Sequence, residues 1–323
     1  MPPRCGETEE LHGTGSFQDR QYLLRLPCVS AGAPRSLHPL LVVVHCFGCS
    51  AHSELHKWTA EAERRGFALA APVGVESSFN APSCCGTARA GGVDDVGFVD
   101  AVVDELLLSR KHSIDPEALF VTGFSNGGFL ASHLASHLSS KSRTRWAAVA
   151  PVAGHEYAVL RASPLPVAIH HCVSDMHVNG TSGCCARADA KWPSGSTCCC
   201  DIQASKCTSH DALFHTWRAI NRCAAYASER GVGGATCLVG AGCAAETSLC
   251  WHGSGCFHQQ WVSHFPAVGA VLDFFGRQPG PAKRGAAGAV EAWAPESTRR
   301  GGGAHGHEHG AWRAAAGRRF RRW

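Results

Sequence analysis

VTGFSNGGFL, residues 121–130, places a serine between two glycines, with an apolar run before it and a helical pattern after it. The core GFSNGG fits G-x-S-x-G, a weak signal alone because glycine and serine are abundant. Its setting strengthens it. Residues 118–122 read as a buried strand and 126–138 as a helix, the strand–turn–helix arrangement that a nucleophile elbow requires. Glycines relieve crowding where the backbone turns sharply, and the serine hydroxyl is left at the carboxyl end of the strand. The amino terminus of the following helix favours negative charge developing there. Ser125 is therefore the candidate nucleophile.

The same alternation continues outward. Residues 20–26 and 39–45 read as strands, the second apolar enough to be buried on both faces. A helical pattern spans 54–65, and a short apolar run covers 67–72. A loop follows with turn-forming Asn80, Pro82, Gly86, Gly91 and Gly92. From Val96, the residues Val99, Val102, Val103, Leu106 and Leu107 recur at helical spacing, with Asp94 or Asp95 placed to cap the start. Further on, 146–152, 167–171 and 247–251 read as strands, and 209–228 and 264–275 as helices. Strands alternating with helices imply an α/β fold, a mostly parallel central sheet with helices on both faces. Residues 179–208 break the rhythm with cysteine, glycine and serine and read as a cysteine-rich insertion over the carboxyl edge of the sheet. The expected organisation is a disordered segment over 1–18, one domain over 19–277, and a disordered Gly/Ala/Arg-rich tail over 278–323.

Composition sets limits on function. The 323 residues are 45% hydrophobic and 17% charged, which suits a globular body with a sizeable core. No run of about 18 apolar residues suggests a membrane span. The first 20 residues are polar and lack the apolar centre of a signal peptide. The net charge of +4 arises in the tail: nine Lys/Arg against three Asp/Glu follow Arg277, leaving 21 basic and 23 acidic residues before it. A nearly neutral body gives no reason to expect nucleic acid as a partner. The tail histidines His305, His307 and His309 flank Glu308 in a stretch without periodicity, where a metal-binding role is not the expected reading. All 18 cysteines precede residue 257. Such a number favours several disulfides and an oxidising compartment, extracellular or along the secretory pathway. Structural zinc would need paired CxxC motifs, and Cys46-Phe-Gly-Cys49 stands alone.

A serine hydroxyl needs a base, and the base needs an orienting acid. After an elbow of this kind the partners follow in the order acid, then histidine, each just past a later strand. Asp175 lies four residues beyond the strand-like run that ends at His171. Three histidines, His252, His258 and His264, fall in the stretch WHGSGCFHQQWVSH. His252 reads as still within the strand and His264 as opening the last helix, so His258 is preferred. An oxyanion needs two backbone donors. One is expected at Asn126, the residue after the serine, and the other in the loop HCFGCS after the strand ending at His45, at Cys46 or Phe47.

PLLVVVHCFGCSA, FNAPSCCGTARAGGVDDVGF, VTGFSNGG, the Asp175 loop and TWRAINRC together resemble polyhydroxybutyrate depolymerase-like and feruloyl esterases of carbohydrate esterase family 1, secreted members of the α/β-hydrolase superfamily. The resemblance spans about residues 20–276. It implies a serine esterase with Ser125 as nucleophile, Asp175 as acid and His258 as base, acting without metal or organic cofactor. Its expected partners are polysaccharide-linked feruloyl or acetyl esters or hydroxyalkanoate esters, with no nucleic acid and no membrane. Two positions depart from the family pattern. His45-Cys46-Phe47-Gly48 replaces His-Gly-Cys-Gly, and Phe257 replaces the second glycine of Gly-Gly-His. Asp94 and Asp95 read as structural. Alternative readings are a peptidase or acyltransferase on the same fold, or a carbohydrate-binding protein that keeps an impaired esterase fold.

Overall fold

The computed structural model describes residues 6–28, 37–81, 84–109, 111–136, 144–154, 163–175, 177–178, 180, 209–224, 227–232, 234–253 and 255–278. The expected insertion, apart from Gly180, and the tail beyond Gln278 lie outside the described residues. Among the described residues ten strands make one sheet: β1 (Thr8–His12), β2 (Gln21–Arg25), β3 (His38–Val44), β4 (Ala68–Pro72), β5 (Ile114–Phe124), β6 (Ala148–Val152), β7 (Val167–Cys172), β8 (Ala227–Val232), β9 (Ala235–Gly240) and β10 (Thr247–His252). Their order is β1-β2-β4-β3-β5-β6-β7-β10-β9-β8. The central six, from β4 to β10, pair in parallel, and two antiparallel strands extend the sheet at each end.

Among the described residues seven helices accompany the strands: α1 (Ala51–Arg64), α2 (Gly86–Ala90), α3 (Asp95–Leu108), α4 (Asn126–Ser136), α5 (His210–Ile220), α6 (Gln260–Ser263) and α7 (Val268–Arg277). In β3 the side chains of Leu40, Val42 and Val44 join the core under α3, α4 and α5, while Leu41 and Val43 join the core under α1, α6 and α7. Successive strand residues point to opposite faces, so a strand buried on both sides has to be apolar throughout. β3 meets that demand, and so do the fully buried β4, β6 and β7.

Several expectations need correction. Residues 8–12 are not structureless: β1 pairs antiparallel with β2 as an edge strand. Its sequence TEELH has half-exposed and exposed positions in alternation, so it carries little apolar signature. The helix expected over 209–228 ends at Ile220. Asn221 ends it by turning its side chain to Leu165, accepting from the amide at 2.8 Å and donating to the carbonyl at 2.7 Å. Residues 227–232 instead form edge strand β8 in a hairpin with β9. The last helix begins at Val268, after the short α6. Asp94 caps α3 through the Gly97 amide, and Asp95 is buried against Arg20 at 2.7 Å and the Asn80 amide at 2.6 Å. Both aspartates are structural in placement, as read.

Candidate active site

Ser125 follows β5 directly and opens onto α4, with φ of +54°, a left-handed conformation that side-chain-bearing residues rarely hold. Its amide donates to Val152 O at 3.0 Å, and its carbonyl accepts from Phe129 N–H at 2.9 Å, so both neighbours enforce the turn. The glycines are there for space. A Cβ on Gly123 would overlap Gly127 O, one on Gly127 would overlap Val44 O, and one on Gly128 would overlap Val152 O. Helix α4 is nearly enclosed and packs against the central strands β3, β5 and β6, and its first amides have no partner within the helix. The amide of Asn126 is one of these.

The structure brings together the three residues singled out from sequence. His258 Nε2 lies 2.9 Å from Ser125 Oγ, and His258 Nδ1 lies 2.7 Å from Asp175 Oδ2. Since the carboxylate accepts from Nδ1–H, Nε2 is left to accept the serine proton. Asp175 Oδ1 accepts from the amides of His177 at 2.9 Å and Val178 at 2.8 Å. Burial alone would raise the Asp175 pKa. The hydrogen bond and charge of His258, helped by His171 and the Val178 amide, bring it below its ordinary value. The carboxylate is thus held ionised. The other two candidate histidines are placed elsewhere: His252 ends β10 with its ring 3.2 Å from His170, and His264 follows α6 at the surface.

The loop after β3 is ordered by His45. The Gly74 amide can only donate, at 3.0 Å to Nε2, so Nδ1 carries the proton and donates to Cys46 O at 2.8 Å. Burial lowers the His45 pKa and keeps the ring neutral. Because a trans peptide sets C=O and N–H in opposite directions, holding Cys46 O also fixes the direction of Phe47 N–H. Cys46 and Cys49 form a disulfide across this loop, which removes the CxxC pair from any metal role. Among the described residues no cluster of three or more His, Cys, Asp or Glu could hold a metal ion.

Three features went unseen in the sequence. The side chain of Asn126 accepts from Phe79 N–H at 2.7 Å and donates to Phe79 O and Cys84 O, fastening the 79–84 loop to the elbow. Disulfide Cys172–Cys256 ties the end of β7, three residues before Asp175, to the loop two residues before His258. Phe47, Val173 and Phe257, on the loops that follow β3, β7 and β10, are exposed apolar side chains. Sequence could hint only at the last, through Phe257 standing where a glycine is usual. The other described disulfides are Cys84–Cys85, Cys223–Cys243 and Cys237–Cys250, in keeping with an oxidising environment. Among the described residues no helix is long and apolar enough to cross a membrane.

No family model matches the chain. A curated protein of Nocardia uniformis subsp. tsuyamanensis, "Putative esterase NocK", is 38% identical over 133 residues, which cover 39% of this chain and 36% of that protein. The matched region thus spans about a third of the length of that relative. The crystal structure of an acetyl xylan esterase from Aspergillus awamori superimposes on 84% of this chain and 99% of its own, with a TM-score of 0.51 at 12% identity. With its parallel core, helices on both faces and a serine elbow after the central strand, the chain has the α/β-hydrolase fold.

Proposed function

We propose that the protein is a serine carboxylic ester hydrolase that works through an acyl-enzyme. His258 Nε2 takes the Ser125 proton as Oγ attacks the ester carbonyl. Asp175 holds the imidazole and stabilises its charged form. The tetrahedral oxyanion is bound by the Asn126 amide and by an amide of the Cys46–Phe47 loop. His258 returns its proton to the departing alcohol. Water then repeats the attack on the acyl-enzyme and frees the acid. The substrates are feruloyl or acetyl esters on polysaccharide, or hydroxyalkanoate esters, the classes that the resemblance implies, and the enzyme acts outside the cell or in the secretory pathway.

The observation that carries this reading is the hydrogen-bonded chain from Ser125 through His258 to a buried, ionised Asp175. That contact counts against a binding protein with an impaired site. The test is hydrolysis of p-nitrophenyl acetate and methyl ferulate by the oxidised protein beside Ser125→Ala. The variant should lose at least about a thousandfold in kcat. Equal rates for the two proteins on both esters would overturn the proposal, and the wild-type ratio between esters begins to define the acyl pocket.

A further inference from the structure

Behind the serine and histidine lies a buried ion pair for which ester hydrolysis, as described, has no use. Lys57 and Glu54 sit on the inner side of α1, 2.6 Å apart, with side chains 5% and 2% exposed. Trp58 Nε1–H donates to Glu54 Oε1 at 3.0 Å, which fixes the carboxylate. A buried ion pair is seldom worth more than apolar residues of the same volume, so stability alone gives little reason for one here. Its position is informative. Lys57 Nζ donates to Trp261 O at 3.2 Å and lies 5.2 Å over the ring of Phe124. Phe124 is the residue before Ser125, and its ring also packs against His258, with ring centroids 4.8 Å apart. Trp261 packs edge-on against Phe124 and donates its amide to His258 O at 3.2 Å. One ammonium therefore touches both the strand that carries the serine and the turn that carries the histidine.

We propose that the Lys57–Glu54 pair is a positioning device for the base, setting the Phe124 ring and the Trp261 turn that together hold the His258 imidazole against Ser125. The proposal rests on the reading of His258 as the base. Neither residue touches substrate. They act through Phe124 and Trp261, and a base displaced by about 1 Å loses on the order of a hundredfold in rate.

The test replaces both partners, Lys57→Met with Glu54→Gln, which removes both charges without leaving one buried alone. Circular dichroism and thermal melting establish that the variant is folded. Labelling of Ser125 by a fluorophosphonate reports activation of the nucleophile independently of ester preference. We expect labelling to slow by about tenfold or more, and kcat on p-nitrophenyl acetate to fall alike with KM within about threefold of wild type. A merely structural pair would shift the melting temperature and leave the labelling rate of the folded protein unchanged, an outcome that overturns the proposal. Should the double variant fail to fold, Phe124→Leu keeps the ion pair and the apolar bulk but removes the ring that contacts both cation and imidazole. Labelling at the wild-type rate in that variant is equally fatal to it. Wild-type protein that neither labels nor hydrolyses esters would overturn the serine hydrolase reading itself, and this one with it.

Discussion

The serine and the histidine meet at 2.9 Å, yet the two sides of that contact are built by different means. The serine side is backbone. Gly123, Gly127 and Gly128 leave no room for a Cβ, and Ser125 is locked by its own amide and carbonyl. The histidine side is side chains and cross-links. His258 follows a turn pinned by Cys172–Cys256, backed by Phe124 and anchored through Trp261 to Lys57. A group set by backbone against backbone, with Val44 O and Val152 O from the neighbouring strands closing on the glycines, has one arrangement. A group set by contacts between residues more than eighty apart has as many adjustable parts as contacts.

That contrast can be broken from either side. The largest effect is expected at Gly127→Ala, where the new methyl would collide with Val44 O and β3, paired with β4 and β5, cannot move aside. A loss of about 4 kcal/mol or more, read by thermal melting or as failure to recover folded protein, is expected. A near-native melt would show the elbow to be softer than its geometry. On the other side, Cys172→Ala with Cys256→Ala should leave a folded protein less stable by about 2–4 kcal/mol. Its kcat should fall about tenfold as the base loop loosens. Unchanged kcat would mean that packing alone sets His258.

Acid should distinguish the two sides further. His170 and His252 lie behind the histidine side, are buried, and touch at 3.2 Å. Burial and their mutual repulsion push His170 down to about 3, and burial with His171 pushes His252 down to about 4. Both stay neutral in the folded chain at pH values where the unfolded chain protonates them. Stability is therefore expected to be unaffected by them above about pH 6.5 and to fall steadily below it, by up to about 1.4 kcal/mol per pH unit for each. Denaturant midpoints at pH 7, 6 and 5 measure this, and a flat profile would sink it. The smallest effect is expected at Phe257→Gly. The ring is 45% exposed, so stability should change by no more than about 0.5 kcal/mol. Preference among p-nitrophenyl esters of increasing acyl length should still shift by a few fold, and an unchanged preference would place the ring outside the acyl pocket.

What was legible in the sequence divides along the same line. The central strands announced themselves because burial on both faces demands apolar runs, and the elbow because its glycines have no substitute. Ser125, Asp175 and His258 followed from chain order and strand ends, which parallel topology fixes. The edge strands β1 and β8 were missed because a polar edge is held by backbone hydrogen bonds that leave no side-chain pattern. The helix after Ser209 was read too long because its stop is Asn221 binding Leu165, a partner 56 residues away. Lys57 and Glu54 drew no notice within the helical pattern over 54–65, since an i,i+3 pair in solvent and one in the core are written with the same letters.

Cys172–Cys256 has one more consequence. The bond joins residues 84 positions apart, three residues before Asp175 at one end and two before His258 at the other. Reduction of that single bond would therefore reach the contact between the carboxylate and the imidazole without touching Ser125, Asp175 or His258. A reductant in the surroundings becomes a brake on this site, and its absence a condition for the site to stay assembled.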